Sequence, residues 1–230
     1  MGTVAEAIRP HRREAEIEQL RARMRRLERA STGRELTTHP VLADLLRLRT
    51  GSAYAVGDVG LALLLLAGPS AAGEWCAVIG EPDLGVLAAA ETGVNLERTI
   101  LVPQPGECWV EATAALIDVA TLVVLRPPGR VPVGLAERLA ARLRARDAAL
   151  VCLGRDWPRA EARVTLGDPR WVGPGQGEGH LRARRVEVEV RRGTAPARRT
   201  TLWFPSVEGR IMRAESEASG AVGPGLREVG

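Results

Sequence analysis

Ala53-Tyr54-Ala55-Val56-Gly57-Asp58-Val59-Gly60-Leu61-Ala62-Leu63-Leu64-Leu65-Leu66-Ala67 runs from a short apolar strand pattern, through a glycine-bearing turn, into an apolar helix. Strand, turn and helix in that order make the first unit of an α/β domain. The alternation repeats downstream. Strands are predicted at Ala53–Val56, Trp75–Ile79, Thr99–Val102, Thr121–Leu125 and Ala148–Leu153. Helices are predicted between them at Val59–Ala67, Leu84–Thr92, Glu107–Ile117 and Gly134–Arg146. The strands are continuous apolar runs, which marks a parallel sheet covered on both faces, joined by right-handed crossovers. After Leu153 come strands without helices, at Ala162–Leu166, Arg184–Val190 and Thr200–Phe204. Val186, Val188 and Val190 alternate with Glu187, Glu189 and Arg191, so one face of that strand is wet.

Ahead of this core, residues 10–30 read as an exposed helix. Ile17, Leu20, Met24 and Leu27 form a heptad-like apolar seam among arginines and glutamates. A shorter helix is predicted at Val41–Arg47. Residues 1–44 are thus an N-terminal helical arm, 45–206 the α/β core, and 207–230, poor in apolar residues, a disordered tail.

Composition narrows the chemistry. The chain has 230 residues, and all 32 of its basic residues are arginine. The lack of lysine excludes a Schiff-base lysine, a Ser-Lys dyad and a P-loop lysine. His11, His39 and His180 have no metal-ligand spacing, so no metal is expected. Cys76, Cys108 and Cys152 sit in apolar runs without a CxxC, which suits reduced, buried thiols in the cytoplasm. The longest apolar run, Val59 to Ala67, is nine residues against the roughly 20 of a membrane span. Charge is segregated: residues 1–50 carry a net +4, residues 51–125 a net −8, and residues 126–230 a net +8. Such asymmetry fits surfaces made for different partners.

The glycine turn is where an α/β nucleotide-binding protein holds phosphate. A P-loop needs GxxxxGK[ST] so that backbone N–H groups, a lysine and a hydroxyl surround phosphate and magnesium. Here Gly57 and Gly60 are separated by two residues, with no lysine and no hydroxyl following. Asp58 places a carboxylate where a polyphosphate would lie. The central strand Thr121–Leu125 ends in Arg126, not in a magnesium-binding acid. Gly57, Asp58, Gly60, Glu81 and Arg126 therefore read as a vestigial nucleotide site with no cofactor.

Beyond that turn the chain resembles the RecA recombinase core. The resemblance rests on Trp75–Ile79 followed by Glu81, on Gly93-Val94-Asn95-Leu96-Glu97-Arg98-Thr99-Ile100-Leu101-Val102, on Gln104-Pro105-Gly106-Glu107, and on the order of the later strands, across roughly 45–205. Within that superfamily the runs 66–80 and 126–131 resemble the ATPase-less accessory protein of the actinobacterial DNA-damage mutasome, the ImuA-prime type. The resemblance implies a RecA-like fold and a non-catalytic adaptor in translesion synthesis. Its implied partners are an inactive Y-family polymerase homologue and, through it, an error-prone replicative-type polymerase. It implies a cytoplasmic protein, nucleoid-associated when engaged. Glu81 falls where RecA keeps its water-activating carboxylate, so a residual nucleotide hydrolase is the enzymatic alternative; the missing phosphate-binding groups argue against it.

Other features carry partner readings. The seam Ile17, Leu20, Met24 and Leu27 is a candidate surface for a partner or for self-association. Arg184, Arg185, Arg191 and Arg192, near Trp203 and Phe204, are candidate DNA contacts, which makes a DNA-binding mediator the runner-up reading. The link from Leu153 to Ala162 is too short for a mobile DNA-binding loop, so at most weak, salt-sensitive DNA binding is expected. On helix 134–146, Arg138, Arg142 and Arg146 form a basic stripe. Glu107, Glu111 and Asp118 form an acidic face on the helix before it.

Overall fold

The computed structural model describes residues 33–154, 157–173, 180–214 and 228–229. The N-terminal seam, Ile17, Leu20, Met24 and Leu27, lies outside the described residues. From Arg34 on, the described residues belong to one compact unit.

Two short strands, β1 (Glu35–Leu36) and β2 (Leu48–Arg49), pair antiparallel. Between them the expected helix Val41–Arg47 is instead a run of turns, in which Leu45 and Leu46 both donate to the carbonyl of Leu42. Its leucines are nonetheless buried: Leu42, Leu45 and Leu46 face the core. Their spacing imitates a helical stripe, but tertiary burial, not helix propensity, sets the backbone there.

The main sheet is built from β3 (Ala53–Val56), β4 (Cys76–Ile79), β5 (Thr99–Val102), β6 (Leu122–Leu125), β7 (Ala149–Leu153) and β8 (Ala162–Leu166). Their spatial order is β5-β4-β6-β7-β3-β8, and every neighbouring pair is parallel. Antiparallel strands extend the β8 side: β9 (Arg170–Val172) and β10 (Ala183–Arg191), then β11 (Arg198–Trp203) and β12 (Met212–Arg213). A last short strand, β13 (Glu228–Val229), pairs with β9. The tail expected from residue 207 therefore starts too early. Met212–Arg213 belongs to the sheet, Ile211 packs against the core, and Arg213 donates to the carbonyl of Val41 and pairs with Asp44 at 2.7 Å.

Four helices connect the parallel strands: α1 (Val59–Ala71), α2 (Val86–Glu91), α3 (Trp109–Val119) and α4 (Val133–Arg146). Alternate strand residues feed two cores. Tyr54, Val56, Val78, Val124 and Val151 pack with α1 and the 39–46 turns, while Ala55, Ile79, Val123, Leu125 and Leu150 pack with α3 and α4. That two-sided burial is why the strands show no polar alternation. Helix α1 is buried continuously from Leu61 to Ser70, between sheet and turns, so it is apolar all round. Helix α4 is one-sided: Ala136, Leu139 and Leu143 face the core. Its Arg142 and Arg146 pair with Asp118 of α3, at 2.8 Å for Arg142 Nε and 3.0 Å for Arg146 Nε. Two arginines of the basic stripe thus meet the acidic face at Asp118. The hydrogen bond from Arg142 holds the Asp118 carboxyl below its ordinary range.

Burial separates the cysteines. Cys76 and Cys152 lie inside the two cores, and desolvation pushes each thiol up to about 12; Cys108 is exposed. Since the thiolate is the reactive form, a thiol reagent at mildly alkaline pH should titrate Cys108 alone in the native protein. The other two should react only on unfolding, which a time course with and without denaturant reads directly.

Candidate functional site

In open α/β sheets ligands bind in the crevice beyond the carboxyl ends of the strands. Here β3 delivers Gly57, Asp58 and Gly60 to that edge, β4 delivers Gly80 and Glu81, and β6 delivers Arg126. The sequence-predicted vestigial site is therefore brought to one rim of the sheet, in two clusters.

The first cluster is the entry to α1. Asp58 is its N-cap, in extended backbone, and its Oδ1 accepts from the N–H of Gly60 at 2.8 Å and of Leu61 at 3.3 Å. Those donors, with the positive end of the helix dipole, are what a phosphate would use. An internal carboxylate already holds them. The ring of Phe204 closes the turn: a Cβ on Gly60 would stand 2.5 Å from Phe204 Cζ. Phe204 is itself pinned by Arg184, whose Nε donates to the Phe204 carbonyl at 2.7 Å. The Arg184 guanidinium lies 5.0 Å from the Phe204 ring centroid and 5.5 Å from that of Trp171, within cation–π range.

The second cluster is an ion pair. Glu81 is 8% exposed, and Arg126 Nε donates to its Oε2. The strand ends that carry them are pressed together. Gly80 has φ +79°, and a Cβ there would lie 2.3 Å from the carbonyl oxygen of Arg126; only glycine satisfies both demands. The Glu81 carboxylate is thus paired with the arginine that ends the neighbouring strand β6. Every buried side-chain nitrogen and oxygen among the described residues has a partner, so no buried side-chain group is held free towards a ligand. Among the described residues no three His, Cys, Asp or Glu side chains are grouped to hold a metal.

The candidate DNA contacts are not one cluster. Arg184 is sandwiched on Trp171 and Phe204. Arg191 pairs with Glu189 at 3.0 Å, and Glu189 also takes Arg199 at 2.8 Å. Arg185 stands opposite Arg170 and Trp203 in the strand register; Arg192 follows β10. Sequence reading missed Phe204 and Arg184 as parts of the closed turn, because more than a hundred residues separate them from Gly60 and nothing in the spacing joins them. Asp58 did carry a readable signal, an aspartate directly before an apolar helical run.

Fold and site together define an α/β protein, with a mostly parallel sheet extended by antiparallel strands, in which the turn into α1 is closed by the chain's own Asp58 and Phe204. Residues 40–159 match the MT3502 N-terminal domain family, and the chain belongs to that family. The chain is also 36% identical, over 152 residues, to the uncharacterized protein Rv3395c of Mycobacterium tuberculosis, covering 65% of this chain and 74% of the relative. No helix among the described residues is long and apolar enough to cross a membrane.

Proposed function

We propose that the protein is a non-catalytic adaptor of a translesion synthesis complex, an ImuA-prime-type member of the RecA superfamily acting in the cytoplasm. In this reading it holds an inactive Y-family polymerase homologue and, through it, an error-prone replicative-type polymerase. One observation carries the non-catalytic part: the helix N-terminus that would hold phosphate is satisfied by Asp58 and covered by Phe204, while Glu81 is paired with Arg126. The sheet order, with the strand before the glycine turn lying between β7 and β8 and antiparallel strands added beyond β8, supports the RecA resemblance. The mycobacterial relative supports its actinobacterial branch. The cross-strand pair Arg199–Glu189 and the pair Arg191–Glu189 within β10 favour an adaptor over a DNA-binding mediator, because they engage basic charge internally.

Millimolar Mg-ATP should leave Tm unchanged, since a ligand stabilises only through affinity for the folded state. Single-stranded DNA should bind weakly and be lost as salt rises. The polymerase homologue should co-purify with the full chain, and Leu20→Asp with Leu27→Asp should abolish that contact while thermal unfolding stays near that of the parent. A Tm rise with ATP, tight DNA binding at about 0.2 M salt, or no co-purification each overturns the reading.

A further inference from the structure

The hairpin that joins β10 to β11 reads Arg191-Arg192-Gly193-Thr194-Ala195-Pro196-Ala197-Arg198-Arg199, with an arginine pair at each end and no acid between them. Val190 opposite Arg198 is the last register pair of the two strands, so 191–197 loop out beyond it. Gly193 has φ +49°, and Ala195 N–H donates to the carbonyl of Arg192 at 3.0 Å. Residues 192–195 are therefore a tight turn, with Thr194 in its central pair. Every residue from Arg191 to Pro196 is exposed. A Cβ on Gly193 would meet no atom within 4 Å, so the turn stands clear of the fold there.

Among the described residues, Thr37 and Thr194 are the exposed residues that carry a hydroxyl. Their settings differ. Thr37 belongs to the segment wedged against Gly68; it follows Glu35, and Arg34 before it is tied to Glu74 at 2.8 Å. Thr194 follows two arginines on an open turn.

The hairpin also holds cations beyond its own acids. Arg191 and Arg199 both pair with Glu189, at 3.0 and 2.8 Å, so two guanidiniums share one carboxylate. Arg192 and Arg198 enter no ion pair among the described residues. Arginines three and two residues before a hydroxyl are the charge pattern that an arginine-directed Ser/Thr kinase reads, because carboxylates beside its cleft take guanidiniums bidentately.

We propose that Thr194 is a phosphorylation site for a kinase of that class, and that its phosphate is held by arginines from both strands of the hairpin. In the transfer Thr194 Oγ forms a bond to the γ-phosphorus of ATP, the bond to the ADP oxygen breaks, and the hydroxyl proton passes to the kinase's base. The product brings close to two negative charges, roughly, into a group of arginines. Arg192 and Arg198 answer it first, since Arg191 and Arg199 already have Glu189. The hairpin then loses about half of its positive charge and with it the attraction for polyanions. This site is argued independently of the complex the protein serves.

The test treats the folded full chain with Mg-ATP and the catalytic domain of an arginine-directed Ser/Thr kinase, read by peptide mass spectrometry. Phosphate is expected on Thr194, kept in Thr194→Ser and lost in Thr194→Val. Arg191→Gln with Arg192→Gln removes the charge-assisted bonds to the kinase and should lower the initial rate about tenfold or more. Phosphorus NMR then titrates the modified chain. The second pKa of the phosphate should lie below its ordinary value of about 6, because neighbouring cations favour the dianion. Arg198→Gln with Arg199→Gln, phosphorylated at the parent's rate, should bring it back up. The proposal is overturned if Thr194 stays unmodified, if it is modified only after unfolding, or if the Arg191 and Arg192 variant reacts as fast as the parent. A phosphate pKa that replacing Arg198 and Arg199 leaves unmoved also overturns it.

Discussion

Gly68→Ala is expected to destabilise the protein by about 3 kcal/mol, the upper end of the range for overpacking a closed core. Helix propensity alone points the other way, because alanine in a helix interior gains up to about 1 kcal/mol over glycine. Space decides the sign. A Cβ at Gly68 would stand 2.3 Å from the carbonyl oxygen of Thr37, 2.9 Å from its carbonyl carbon and 3.0 Å from the amide nitrogen of His39. These are backbone atoms, and the segment carrying them is anchored on both sides, by Leu36 in β1 and by Leu42 among the turns, both buried. Nothing nearby is the free end of a side chain that can swing aside. Gly73→Ala provides the comparison: φ is +90° but no atom lies within 4 Å, so only the backbone strain of about 1 kcal/mol is charged. Urea melts of the two variants should therefore differ by about 2 kcal/mol. Equal midpoints would mean that the 37–39 segment does not cross α1 at this glycine.

That crossing also shows what the sequence could and could not announce. The parallel core was legible because burial on both faces forces unbroken apolar runs, and Cys76–Ile79 or Leu122–Leu125 have no other stable use. Helix α1 was legible for the same reason, though it continues to Ala71, through Pro69 in its last turn. The short strands β1, β2, β9 and β12 were not legible. Two or three residues carry no periodicity, and their pairing is imposed by partners distant in sequence. At the site, each residue was readable and the pairings were not. Glu81 and Arg126 both follow apolar strands, but their adjacency depends on β4 lying beside β6, which is a property of sheet order. The same holds for Phe204, which reaches Gly60 only because β10 and β11 extend the sheet past β8.

Breaking the ion pair distinguishes a filled site from a locked one. Arg126→Leu leaves the buried Glu81 carboxylate without its counter-charge, which in a buried pair costs about 3–5 kcal/mol. The Arg126 side chain is 43% exposed, so water can partly replace it, and about 2 kcal/mol is the expected loss. Adding Glu81→Leu removes the stranded charge and should return most of that loss, since an apolar pair of similar volume is often neutral. The two substitutions must therefore be strongly non-additive in a double-mutant cycle. The same variants test the chemistry. In Arg126→Leu the Glu81 carboxylate is released, yet Asp58 still occupies the N–H groups of Gly60 and Leu61, and Phe204 still covers the turn. Mg-ATP should leave its Tm unmoved, as in the parent. A clear ATP-dependent rise in Arg126→Leu alone would make the arginine a gate over a nucleotide-binding site.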